Sequence, residues 1–135
     1  MSSVVYVDTS VVLASVRTER QRPSAEFWNN PLLLSSVLAE YETWTRLHAY
    51  GEAAALGPDA ASTLGALNLI ALTSEIGARC RSPFPVPVRT LDALHLATAE
   101  HLRSRGYLVE IATYDARMRA AATAMGFAVT GPMGG

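Results

Sequence analysis

Apolar residues along this chain fall into two kinds of run, and the two alternate. Short continuous runs rich in β-branched residues predict strands: VVYVD at 4–8, LLLSS at 32–36, LIALT at 69–73, LVEIAT at 108–113 and FAVTG at 127–131. Runs that are apolar throughout, rather than at every second position, predict a sheet covered on both faces. Between them the spacing turns helical. Residues 10–17 and 24–29 read as short helices. From about Ser36, the residues Val37, Tyr41, Trp44 and His48 form a stripe at four-, three- and four-residue steps. Pro58-Asp59 reads as the entry to a helix over 59–68, and another follows Ser74. RSPFPVPV at 81–88 carries three prolines and predicts an irregular connector. A helix capped by Thr90 and ended by Gly106 comes next, and the last helix runs from about Ala116 to Met125 before Gly126.

Strand–helix alternation over one domain length predicts an α/β fold with a largely parallel sheet. The 135 residues suit a single domain over 1–135, half of them hydrophobic and only 17% charged, which argues against disorder. No apolar run approaches the roughly 18–20 residues that span a membrane. The N-terminus has no basic region or cleavage-site pattern, so a cytoplasmic protein is expected. Cys80 stands alone, which excludes a disulfide framework and a cysteine zinc site. The net charge of −1 excludes nucleic-acid binding that rests on bulk phosphate neutralisation. All eleven basic residues are Arg. Without a Lys, a phosphoacceptor signalling domain or an aspartyl phosphohydrolase loses the ammonium group its carboxylates ordinarily work beside.

In open parallel sheets, ligands bind beyond the carboxyl ends of the strands. Asp8 ends the first strand, and Glu40 lies about one turn into the helix after the second. Asp115 follows the fourth strand, and Asp92 opens the helix that leads into it. In a right-handed layout these four segments share one sheet edge. Each acid also has a plainer role available. Asp8 and Asp115 stand where N-caps stand, and Asp92 favours a helix dipole. Glu40 suits a solvated helix face, with Glu42 close by. Together the four are costly: two unit charges about 4 Å apart repel by roughly 4 kcal/mol at an effective dielectric of 20. A hard divalent cation relieves this, and an all-oxygen set points to Mg²⁺ or Mn²⁺. Such an ion activates water and stabilises charge on a phosphoryl oxygen.

Four segments carry a resemblance: VVYVDTSVVLA, SSVLAEYETWTRL, RTLDALHLATAEHL and IATYDARMRAAATAMGF. In that order they resemble the PIN domain, and more closely the VapC-type toxin ribonucleases of type II toxin–antitoxin pairs. The resemblance implies a three-layer α/β/α sandwich with a central parallel, Rossmann-like sheet. It implies Asp8, Glu40, Asp92 and Asp115 as the catalytic and metal-binding acids, with Ser10 and Thr113 as supporting hydroxyls. It implies Mg²⁺- or Mn²⁺-dependent RNA cleavage leaving a 5′-phosphate and a 3′-hydroxyl, an antitoxin protein partner and a homodimer. The alternative is a PIN-like module that binds RNA or a protein without turnover. Arg17, Arg20 and Arg22 read either as RNA phosphate contacts or as a solvated basic loop, Arg89 and Arg117 as braces for motif acids, and His95 chiefly as a packing or supporting residue. Leu38, Trp44 and Leu47 are open between core and interface.

Overall fold

The structure, a computed structural model, describes residues 2–130. Five parallel strands form one sheet: β1 (Ser3–Val7), β2 (Leu33–Ser36), β3 (Asn68–Ile70), β4 (Leu108–Ala112) and β5 (Ala128–Thr130). The spatial order is β3-β2-β1-β4-β5. The chain therefore builds outward from β1 to β3, returns to the other side of β1 as β4, and ends at β5. Gly131, which the apolar pattern assigned to the last strand, lies outside the described residues.

The pleat of β1 explains the layering. Val4 and Tyr6 face one side with their register partners Val109 and Ile111. Onto them pack Leu96, Ala99 and Leu102 of α5 (Thr90–Ser104) and Met118, Ala121 and Ala122 of α6 (Ala116–Ala124). Val5 and Val7 face the other side. There Val11, Val12 and Val16 of α1 (Thr9–Val16) join Ala39 and Leu47 of α2 (Leu38–Ala49) and Ala60 and Leu64 of α3 (Ala53–Gly65). Two cores, one on each sheet face, make the α/β/α sandwich and account for strands without polar alternation. Leu47 is fully buried in the second core. Leu47→Ala is expected to cost about 2–5 kcal/mol in urea unfolding.

Among the described residues no helix is long and apolar enough to cross a membrane. The connector at 81–88 is irregular, as its prolines predict, and Val86 and Val88 anchor it against the first core. The segment 25–29 is a 3-10 turn capped by Ser24, whose hydroxyl accepts from Phe27 N.

Three local expectations change. The third helix begins at Ala53, a turn and a half before the expected entry, and carries Pro58 in its interior. A proline there gives up one backbone hydrogen bond. Gly57 beside it lets the helix close on α2, since a Cβ at that position would stand 3.2 Å from the Trp44 ring. At the start of α5 the N-cap is Arg89, with no side-chain acceptor, and Thr90 is already helical. The extended backbone leaving the proline connector carries through Arg89, so the first turn closes on its carbonyl (Ala93 N to Arg89 O, 2.8 Å). Finally, the buried stripe of α2 is Ala39, Thr43 and Leu47, whereas Tyr41 is 59% exposed. The helical period is as expected and its phase differs, with a consequence for the site.

Candidate active site

The sheet order reverses between β1 and β4, so the helices after these two strands leave on opposite faces and open a crevice at the strands' carboxyl ends. A cleft of about 570 Å³ occupies this position. Its walls carry Asp8, Ser10, Glu42, Asp92 and Asp115, with Arg17, Arg46, Arg89 and Arg117 around them.

Asp8 directly follows β1, and its N–H continues the ladder by donating to Ala112 O at 3.0 Å. It holds the N-cap position of α1, yet its side chain makes no cap hydrogen bond. Instead the residue is only 6% exposed and its Oδ2 accepts from the Ser10 and Thr113 hydroxyls, each at 2.8 Å. The same hydroxyls join the two strand ends: Asp115 N donates to Thr113 Oγ1 at 2.9 Å, and Tyr114 N donates to Ser10 Oγ at 3.1 Å. Asp115 caps α6, accepting from Arg117 N at 2.8 Å. Asp92 is the third residue of α5, and its carboxyl lies above the ordinary range. Desolvation is the main cause, followed by the charges of Asp115 and Asp8.

That shift has a sign. A carboxyl raised in the folded state contributes stability below its ordinary pKa and loses it as pH rises through the folded value. Above the ordinary carboxyl pKa, then, Asp92 works against folding of the metal-free protein. Asp92→Asn is expected to raise its melting temperature at pH 7, with the gain shrinking toward pH 4, as followed by calorimetry in EDTA.

The structure brings Asp8, Asp92 and Asp115 to one cleft, together with Ser10 and with Thr113 behind Asp8. It does not bring Glu40 there. On α2 and its C-cap the residues that line the cleft are Glu42, Arg46 and Tyr50, one row at four-residue steps. Glu40 stands two residues, or about 200°, around the helix from Glu42. Glu42 Oε1 accepts from Thr9 Oγ1 at 3.0 Å and meets His95 Nε2 at 2.6 Å. The available signal was the polar row Glu42–Arg46–Tyr50 itself, legible once the buried stripe is phased on Ala39 and Leu47.

Arg17 lines the cleft but is committed: Nε donates to Glu52 at 2.8 Å, Nη1 to Glu19 at 2.9 Å, and the guanidinium lies 4.3 Å from the Tyr50 ring centroid. Arg22 bonds the carbonyls of Thr18 and Glu19, and neither Arg20 nor Arg22 lines the cleft. Arg89 and Arg117 line it, and among the described residues neither forms an ion pair with a carboxylate, so they do not brace the motif acids. Leu47 belongs to the core, with Trp44 packed against it.

The donor set is wholly oxygen: carboxylates, one of them oriented by two hydroxyls and one raised by burial and then by its charged neighbours. This chemistry fits a hard divalent cation bound by one or two carboxylates and otherwise through water. Among the described residues no three acidic, His or Cys side chains already stand close enough to hold an ion between them.

This fold and site define a class. The sequence pattern of the PIN domain matches residues 5–124, and the chain belongs to the PIN domain family and, within it, to the VapC-type ribonucleases. It is 33% identical over 135 residues to Ribonuclease VapC46 of Mycobacterium tuberculosis, covering 96% of this chain and 98% of that protein. It is 29% identical over 134 residues to Ribonuclease VapC35 of the same species, covering 96% and 97%. Among solved structures, the fold matches a chain of a toxin–antitoxin complex from Klebsiella pneumoniae with TM-score 0.62 at 19% identity, over 98% of this chain and 99% of that one. It also matches M. tuberculosis VapC20, a sarcin–ricin loop cleaving toxin, with TM-score 0.63 at 17% identity, over 87% and 94%.

Proposed function

We propose that this chain is the toxin of a toxin–antitoxin pair and cleaves RNA phosphodiester bonds with a divalent cation held among Asp8, Asp92, Asp115 and Glu42, directly by one or two of them and through water by the others. The observation that carries this reading is Asp8. A carboxylate at an N-cap position that does no capping, and is instead held by two hydroxyls from two strand ends, is oriented toward something other than its own helix.

Asp8 and Asp92 present carboxylate oxygens to the ion, Asp115 presents what its capping bonds leave available, and Glu42 stands in the role first assigned by spacing to Glu40. Mg²⁺ or Mn²⁺ bound there supplies Lewis-acid stabilisation of phosphoryl charge and a lowered pKa for water. Ser10 and Thr113 keep Asp8 in one rotamer, so no reorganisation is needed when the ion arrives. Arg89 and Arg117 receive RNA phosphates on either side of the acids, which reconciles RNA binding with a net charge of −1. Relatives named as ribonucleases support the activity, and a similar structure solved as a toxin–antitoxin complex supports an antitoxin partner. A basic side chain of that partner suits the space between Asp92 and Asp115.

Incubation of the purified protein with RNA and Mn²⁺ tests the reading. Shortened products that vanish in EDTA are expected; intact RNA at every metal concentration points to a binding module instead. The arginine role has its own measurement. Arg117→Ala is expected to weaken RNA binding and to reduce the slope of log affinity against log salt by about 0.7. An unchanged slope in fluorescence anisotropy removes Arg117 from the phosphate contacts.

A further inference from the structure

We propose that His95, backed by Tyr6, is a positioning residue that holds the Glu42 carboxylate at the cleft wall in readiness for the cation. The proposal rests on the metal-dependent reading of the cleft and adds to it a buried support that reaches through the sheet's first core.

Three elements meet at this point. Tyr6 lies on β1, His95 on α5 and Glu42 on α2, and both rings are 1% exposed. His95 Nε2 stands 2.6 Å from Glu42 Oε1, and its Nδ1 stands 2.6 Å from the Tyr6 hydroxyl. The rings pack edge-on, with centroids 5.8 Å apart and planes at 71°. Beside a neutral ring, the buried Tyr6 phenol donates to Nδ1. In the neutral ring, Nε2 then carries the hydrogen and donates to Glu42. Thr9 Oγ1 donates to the same Glu42 oxygen at 3.0 Å.

A glutamate has three side-chain torsions and a large rotamer entropy to lose on binding an ion. Two donors on one oxygen remove most of that freedom at folding. Thr9 and His95 are anchored by rigid elements on both sides of the crevice, so Glu42 is aimed by the scaffold rather than by the ligand. A histidine that served packing alone would need a partner, but not one whose carboxylate lines the cleft.

Mn²⁺ affinity, measured by electron paramagnetic resonance on the metal-stripped protein, separates the two roles. Thermal unfolding confirms the fold of each variant. His95→Leu is expected to weaken Mn²⁺ binding about 10–100-fold, the usual effect of removing an outer-shell partner. His95→Gln, whose amide N–H reaches the place of Nε2, is expected to recover most of that loss. Tyr6→Phe frees Nδ1 to carry the hydrogen and is expected to weaken binding by a smaller factor; with His95→Gln it carries the test if His95→Leu does not fold. A folded His95→Leu with wild-type Mn²⁺ affinity overturns the proposal and leaves the nuclease reading standing. A wild-type protein whose Mn²⁺ binding is absent, or indifferent to Asp8→Asn, overturns both.

Discussion

Asp8→Asn is expected to leave the protein folded and to remove Mg²⁺- or Mn²⁺-dependent RNA cleavage, by more than the roughly 10–100-fold that outer-shell changes cost. Both halves of this result follow from where the side chain points. The start of α1 is secured by the Asp8 backbone, whose carbonyl accepts from Val11 N at 3.0 Å, and not by its carboxylate. Asn offers an amide oxygen of the same size to the Ser10 and Thr113 hydroxyls, so the two strand ends stay joined. What it lacks is the negative charge. A gel assay of labelled RNA with and without EDTA, beside a melting curve, reads both at once. Undiminished cleavage by the folded variant would sink the assignment of Asp8. Asp115→Asn is the companion: Asn is as good an N-cap as Asp, so α6 is expected to hold while activity falls.

The second large effect lies in a pair of variants on one helix. Glu42→Gln is expected to lose cleavage by about 100-fold or more, whereas Glu40→Gln stays within about twofold of wild type. Both changes keep size and one accepting oxygen, and the pair differs in where the lost charge stood. Glu42 shares a row with Arg46 and Tyr50 along the cleft, and about 200° of helix separates it from Glu40. Single-turnover cleavage at saturating Mn²⁺ makes the comparison. Equal losses in the two variants would mean that α2 presents its acids differently when substrate is bound.

The Glu40–Glu42 pair also marks the boundary of what a linear reading reaches. Asp8, Asp92 and Asp115 were legible because each sits at a strand end or a helix start, where chain direction alone sets the sheet edge. Glu42 was not, because a residue inside a helix takes its direction from the helix phase. The apolar series Val37, Tyr41, Trp44 and His48 has a sound helical period, yet packing chose Ala39, Thr43 and Leu47 for burial. The reason is space: α3 closes on α2 at Gly57, against the Trp44 ring, and small residues let the two helices and the sheet approach. His95 shows the same limit. Its place three residues after Asp92 suggested a supporting role, but its partners Tyr6 and Glu42 lie 89 and 53 residues away in the chain.

Spacing along the chain was enough for the class of fold and for the meeting of Asp8, Asp92 and Asp115 at one cleft. Continuous β-branched runs alternating with helical spacing favour a largely parallel sheet with helices on both faces. Acids at the ends of such strands must meet at one edge. Tertiary structure decided the rest. The reversal of strand order between β1 and β4 opened the crevice, and the hydroxyls of Ser10 and Thr113 joined across it on Asp8. Packing of α2 against α3 turned Glu42 toward the cleft, and the buried contact of Tyr6 with His95 placed a donor behind it. These are matters of distance between residues far apart in the chain, and periodicity carries no information about them.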